Sequence, residues 1–314
     1  MGNIITTYYV EGTQFLFEDP DHSVVRDCVP GQAYEPLVAS LLSAALQEPD
    51  ARFADIGALY GFFSCWAARH VPGLSVTAFE PEPTYVEVMR RNIARNRVNV
   101  QVAQVALTDK EGDVPFLGRT VEPVGEWSNW RRSYPSSLRN LPSRALDKVA
   151  SADVERHIVA GYNAPHAGLL AVSARTWQVK LQGRTAVDDS HSVPGIDLDT
   201  YAERHNWYPT AVKIDVHGGE GLVLRSMRQI LARSVRHLLL ELHTLDYLVD
   251  TTYEEIFSIL EKSGLTLYEV RGFRHSRGSL IQLTPERRKQ ICDPRTWTPE
   301  ELYFMRFIYA CCTS

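Results

Sequence analysis

The chain has 314 residues, 33 Lys and Arg against 38 Asp and Glu, and a formal net charge of −5. This length suits one large α/β domain with insertions, or two small ones; a hydrophobic fraction of 44% and a charged fraction of 23% are ordinary for a folded globular protein. The slight acidity argues against a general nucleic-acid binder, and no apolar run is long enough to span a bilayer.

The N-terminal stretch MGNIITTYYVEG lacks a basic segment followed by an apolar one, so no secretory leader is expected. Gly2 and Thr6 fit a myristoylation pattern, but TTYYVEGTQFLF alternates like a β-hairpin turning at Glu11-Gly12, and the hairpin reading outweighs it. Residues 33–47, AYEPLVASLLSAALQ, carry apolar residues at helical spacing. Strands are then predicted over 53–57, 75–80 and 100–107, with helices over 61–70 and 84–96 between them. Such alternation predicts a parallel sheet covered on both faces.

From about Phe116 to Pro194 the regular patterns weaken, and the stretch reads as an insertion with some structure of its own; GLLAVSARTWQVKLQ could supply a strand or two. Regularity returns with a strand at 210–216, a helix at 220–232, a strand at 235–242 and a helix at 252–264. LTLYEVRG and GSLIQLT predict a closing antiparallel hairpin, and the tail reads as a helix capped near Thr298. The implied organisation is an N-terminal hairpin and helix (1–50), a core (51–116 and 195–285), an insertion (117–194) and a C-terminal extension (286–314). The five cysteines, Cys28, Cys65, Cys292, Cys311 and Cys312, are odd in number and form no C-x-x-C pair. They predict a reducing, cytoplasmic setting without a structural zinc.

FADIGALYGFF, residues 53–63, reads as a strand running into a glycine turn and a helix. Such a turn lets a ligand approach the backbone closely. Asp55 at its mouth repels pyrophosphate and suits a ligand with positive charge. Glu80 ends the next strand, where a carboxylate can accept both hydrogen bonds of a ribose diol. Together they suggest S-adenosylmethionine, a cationic adenosine ligand. The glycine spacing is G-x-x-x-G rather than the G-x-G-x-x-G of dinucleotide sites, which disfavours a nicotinamide-dependent oxidoreductase.

DIGALYGFFS, AFEPEPTYVEVMRRNIARN, VALTDKEGDVPF, IDLDTY, VKIDVHGGEGLVL and LLLELH occur in the order expected of FkbM-type methyltransferases, which this chain resembles over residues 33–116 and 195–283. The resemblance implies a Rossmann-like class I methyltransferase fold, a mostly parallel sheet whose last strand runs antiparallel, and S-adenosylmethionine as cofactor. It implies cofactor contacts at Asp55, Gly57, Ala58, Gly61, Glu80 and Pro81. Tyr34 and Glu35 would close the methionine end, and Ala106 and Asp109 would lie by the adenine. There are three departures: Leu59 stands where Asn is usual, His217 and Gly219 stand where DVEGAE is usual, and the 117–194 insertion is longer than expected.

The chemistry is expected beyond the strand ends. Lys213, Asp215 and His217 share a parity, as do Glu241 and His243, so two acids and two histidines should converge near the sulfonium. An alcohol becomes a nucleophile when its proton is removed, and a histidine is a suitable base at neutral pH. His217 is the candidate base, with His243 next, and Asp215 could orient it. A divalent metal held by Asp215, Glu241 and His243 is the alternative; the metal-free route is preferred because the resemblance does not require an ion. The absence of an N-P-P-Y motif favours oxygen over nitrogen as acceptor. Trp130, Arg131, Arg132 and Tyr134 in the insertion suit a sugar ring or an anionic group, or else a homodimer contact. The reading is an O-methyltransferase acting on a small molecule, natural product or glycan; the alternative is a non-catalytic S-adenosylmethionine-binding module. Neither nucleic acid nor membrane is an expected partner.

Overall fold

The computed structural model describes residues 5–20, 24, 34–117, 190–243, 248–272, 278–297 and 306–312. The chain opens with the expected hairpin: β1 (Ile5–Val10) and β2 (Thr13–Glu18) pair antiparallel around Glu11 and Gly12, both at positive φ. The hairpin is stitched to the rest of the chain through Glu18. That side chain is buried, with Arg91 Nη2 at 2.7 Å and Arg95 Nη2 at 3.1 Å, and its backbone N–H donates to Asn92 Oδ1.

Helix α1 (Pro36–Leu46) starts on a proline, which lacks the amide hydrogen that the first turn cannot use. Then come β3 (Arg52–Ile56), α2 (Phe62–His70), β4 (Ser75–Phe79), α3 (Pro83–Asn96) and β5 (Gln101–Ala103). The strand expected over 100–107 is broken. Its second part, β6 (Ala106–Leu107), leaves the main sheet and pairs parallel with β8 (Ser190–Ile196), which itself pairs antiparallel with β7 (Gly112–Leu117). The long excursion therefore departs and returns at adjacent strand ends, Leu117 opposite Ser190. The strands suggested inside the insertion, and Trp130, Arg131, Arg132 and Tyr134, lie outside the described residues.

Helix α4 (Leu198–His205) is capped by Asp197, whose carboxylate accepts the Thr200 N–H. It leads to β9 (Ala211–Ile214). The single helix expected over 220–232 is two, α5 (Glu220–Ser226) and α6 (Arg228–Arg233), because Met227 leaves the helical region at φ −127°. β10 (His237–Leu242), α7 (Tyr253–Lys262), β11 (Thr266–Arg271), β12 (Ser279–Gln282) and α8 (Pro285–Cys292) follow.

The tail departs from expectation. Residues 306–311 are a strand, β13 (Arg306–Cys311), rather than part of a helix. RFIYAC is rich in side chains that favour strands, and five of its six residues are buried. β13 lies between β10 and β11 and runs antiparallel to both. The strand order is β12-β11-β13-β10-β9-β3-β4-β5. β11 and β12 form the antiparallel pair expected, but the antiparallel strand inside the sheet is β13, so the sheet extends past the boundary placed at residue 285.

Alternation along the strands divides the core. Ala54, Ile56, Val212, Ile214, Leu238 and Leu240 face α4 to α7, whereas Phe53, Val76, Ala78, Ala211 and Leu239 face α1 to α3 and the hairpin. The carboxyl ends of β3, β4, β9 and β10 come together at one edge, where open α/β sheets bind their ligands.

Candidate active site

The turn after β3 is shaped by a close approach of two strands. Gly57 sits at φ +75°, and a Cβ there would lie 1.8 Å from the Asp215 carbonyl oxygen. The N–H groups of Gly57 and Ala58 both donate to the Phe79 carbonyl, at 3.0 and 3.1 Å, and Asp215 N–H donates to Ile56 O at 3.0 Å. β3, β4 and β9 are thus locked together at the turn. Leu59 follows at φ 51°, a left-handed conformation that asparagine adopts more readily. Gly61 at φ +80° begins α2, with Met89 filling the space a side chain would need.

Glu80 binds this turn from the end of β4. Its Oε2 accepts the Leu59 N–H and its Oε1 the Glu82 N–H, both at 3.0 Å. Burial pushes its carboxyl up to about 8 against the pull of those two donors. Each oxygen keeps a further lone pair. Pro81 follows, half-buried. Asp55 is 2% exposed and points inward, where Ser64 Oγ donates to its Oδ2 at 2.6 Å. Burial raises its carboxyl above the usual range, with Lys213 and Ser64 opposing.

Lys213 is the electrostatic centre. Its Nζ lies 3.3 Å from Asp215 Oδ2 and 5.0 Å from the centre of the Phe63 ring. Burial works against its charge, but Asp215, Glu35, Asp55 and Glu241 outweigh it and raise the ammonium above its usual value. Asp215 is likewise opposed by burial, yet Lys213, His217 and His243 hold its carboxyl well below the usual range. Glu241 is 4% exposed, and burial, then Asp215 and Glu35, raise it well above that range. Asp215 therefore carries its charge beside the Lys213 ammonium, while Asp55 and Glu241 are pushed toward their neutral forms. Glu35 is buried at φ 44° just before α1, and the Tyr34 ring packs edge-on against Phe62 at 5.1 Å.

Beyond β9, His217 sits at φ 51° with 47% of its side chain exposed. Its Nδ1 is 3.4 Å from Asp215 Oδ1, and its ring centre is 4.7 Å from that of His243. His243 is buried, and its Nδ1 lies 2.7 Å from Glu220 Oε1. Burial lowers the affinity of this imidazole for its proton, but Glu220 prevails and raises it. The structure thus brings Lys213, Asp215, His217, Glu241 and His243 together.

Among the described residues, Asp215, His217 and His243 offer ligand atoms within 4.8 Å of one another, whereas Glu241, expected beside Asp215 and His243, is buried and is not among them. Ala106 begins β6, half-buried. Asp109 is exposed and paired with Arg225 Nε at 3.0 Å, so its charge is already engaged. Two contributors escape the sequence reading. Ser64, the partner of Asp55, is a lone polar residue in the buried run FFSCWA, which is a usable signal. Glu220, the partner of His243, is fully buried at the start of α5, and only the folded chain brings it to β10.

The family described as "Methyltransferase FkbM domain" matches residues 55–274, more than half of the chain. The 31-O-demethyl-FK506 methyltransferase FkbM of Streptomyces tacrolimicus is 41% identical over 58 residues, which make up 18% of this chain and 22% of that relative. Among solved structures, the methyltransferase FkbM of Methylobacillus flagellatus KT aligns at 11% identity and a TM-score of 0.41, over 83% of this chain and 43% of its own. A precorrin-6y C5,15-methyltransferase from Geobacter metallireducens GS-15 aligns at 13% identity and a TM-score of 0.38, over 91% and 93%. With the family match spanning the glycine turn, Glu80 and the strand-end cluster, this chain belongs to the FkbM methyltransferase family.

Proposed function

We propose that the chain transfers the methyl group of S-adenosylmethionine to a hydroxyl of a small molecule, natural product or glycan. The observation that carries this reading is the convergence of Asp215, His217 and His243 beyond β9 and β10, next to the glycine turn. The cofactor supplies a methyl carbon activated by a sulfonium. The chain's own groups fit it: Glu80 holds lone pairs at the lip of the turn for a ribose diol, and the charged Asp215 carboxylate favours the cofactor's positive charges. Tyr34 and Glu35 close the methionine end, and Ala106 lies toward the adenine.

The acceptor hydroxyl loses its proton at the strand-end cluster. His217 is exposed and reaches solvent, whereas His243 behind it is buried. An incoming alcohol therefore meets His217 first. Holding the deprotonated oxygen in line with the bound cofactor's methyl group would supply much of the rate. The insertion covers the acceptor or makes a homodimer contact. A cytoplasmic setting is supported by the thiols of Cys65, Cys311 and Cys312, which form no disulfide among the described residues. Among the described residues, no helix is long and apolar enough to cross a membrane.

The test is transfer from methyl-labelled S-adenosylmethionine to a panel of alcohols, glycans, amines and thiols. Label in an ether product supports the reading; label on nitrogen or sulfur alone rejects it. On the accepted alcohol, His217→Ala should lower kcat by at least about 10²-fold, with S-adenosylhomocysteine affinity unchanged. A normal kcat in that variant moves the chemistry to His243.

A further inference from the structure

Asp215, His217 and His243 bring one carboxylate oxygen and two imidazole nitrogens within 4.8 Å of one another. We propose that this trio binds one divalent first-row transition ion of the Zn²⁺, Mn²⁺ or Fe²⁺ type, in preference to Mg²⁺. The ion's role, though not its binding, rests on the methyl-transfer reading above.

Four features carry the assignment. The first is spacing. Two ligand atoms on a tetrahedral ion with bonds of about 2.1 Å stand roughly 3.4 Å apart. His217 Nδ1 and Asp215 Oδ1 are 3.4 Å apart, longer than a good hydrogen bond. The second is the carboxylate. Asp215 Oδ2 faces Lys213, while Oδ1 is buried and accepts no hydrogen bond among the described residues. A buried anionic oxygen without a donor is costly, and a cation satisfies it.

The third feature is support behind a ligand. His243 Nδ1 is held by Glu220 Oε1 at 2.7 Å, which leaves Nε2 as the ligating nitrogen. Glu220 is itself fixed by the Gly218 N–H at 3.0 Å, and Tyr253 OH donates to the His243 carbonyl at 2.7 Å. A carboxylate behind a histidine is the arrangement that orients metal-binding imidazoles. The fourth is access. His217 is held at φ 51° with its ring partly in solvent, so the site has an entry path and an open side. Three protein ligands leave room for a further oxygen. Two imidazoles with one carboxylate favour transition ions, whereas Mg²⁺ prefers an all-oxygen shell.

An ion here would acidify an alcohol placed on its open side. The O–H bond breaks and its proton goes to solvent. The oxygen forms a bond to the methyl carbon as the carbon–sulfur bond breaks, and the sulfonium leaves as a neutral thioether. His217 then acts through the ion instead of taking the proton itself.

The full chain, stripped with a chelator, should be titrated with Zn²⁺, Mn²⁺ and Mg²⁺ by calorimetry and with Co²⁺ by visible absorption. One transition ion per chain is expected, with strong Co²⁺ bands of a low-coordinate site and much weaker Mg²⁺ binding. His217→Ala and Asp215→Asn should each weaken the ion at least tenfold, and Glu220→Gln about 10–100-fold. S-adenosylhomocysteine titrated into the same preparations reports folding. A native chain that binds S-adenosylhomocysteine but no transition ion overturns the metal site, as does binding that survives in Asp215→Asn and His217→Ala unchanged. A native chain that binds the ion but not S-adenosylhomocysteine overturns the methyltransferase reading and leaves the metal site standing.

Discussion

A carboxyl that burial pushes up to about 8 carries its proton at neutral pH, and Glu80 is such a group. Its unfolded value is near 4.5. Its contribution to stability is therefore fully present below 4.5 and is lost as pH rises through about 8, because only the folded chain holds the proton in that window. A ribose diol donates two hydrogen bonds and prefers the ionised carboxylate. S-adenosylhomocysteine affinity should thus increase as pH rises towards about 8, with proton release on binding. Calorimetry in buffers of different ionisation enthalpy reads both quantities. Glu80→Gln should remove this pH slope and weaken binding at least about tenfold; a flat native profile would contradict the role given to Glu80. At this scale the sequence was informative wherever a residue ended a strand: Lys213 lies on β9, and Asp215 and His217 follow in the turn directly beyond it. It offered a signal for Ser64 that only the packing of α2 turns into a partner for Asp55, and it did not pair Glu220 with His243, because that contact depends on how α5 packs.

The junction of β3 with β9 tests packing between elements. Gly57→Ala puts a methyl 1.8 Å from the Asp215 carbonyl at φ +75°, and neither strand can move without breaking the ladder. Gly73 has a similar φ of +88° but nothing within 4 Å. Gly73→Ala should cost only the left-handed strain, about 1–2 kcal/mol, whereas Gly57→Ala should cost more than about 4 kcal/mol. Urea denaturation of both variants measures the difference; equal losses would mean that the close approach does not hold the strands. The central strands were readable because uninterrupted apolar runs mark buried parallel β structure. β13 was not, because YFMRFIYACC is apolar at either period, and its neighbours β10 and β11 are distant in sequence. β8 was hidden by its composition, SHSVPGI, which carries a proline and a glycine.

At the scale of the whole molecule, the order of the matched blocks gave the family and the sheet, because each block is a strand end with its turn and is local in sequence. The excursion between β7 and β8 lay beyond such reasoning, since nothing local says where a long connection returns. The structure shows that Leu117 and Ser190 are opposite one another in an antiparallel ladder. Replacing residues 118–189 with Asn-Gly would close that ladder as an ordinary hairpin. Loop-closure entropy falls by about 0.6 kcal/mol per halving of length, and about five halvings separate the excursion from a two-residue turn, so the shortened chain should unfold cooperatively at a temperature no lower than the native chain's and still bind S-adenosylhomocysteine. Calorimetric scanning and titration check this; a shortened chain that does not fold would make the excursion part of the core. Adjacent exit and return points also make the excursion an exchangeable cassette. A segment that leaves and rejoins one ladder at facing residues can change in length or sequence without shifting the register of β7 on β8.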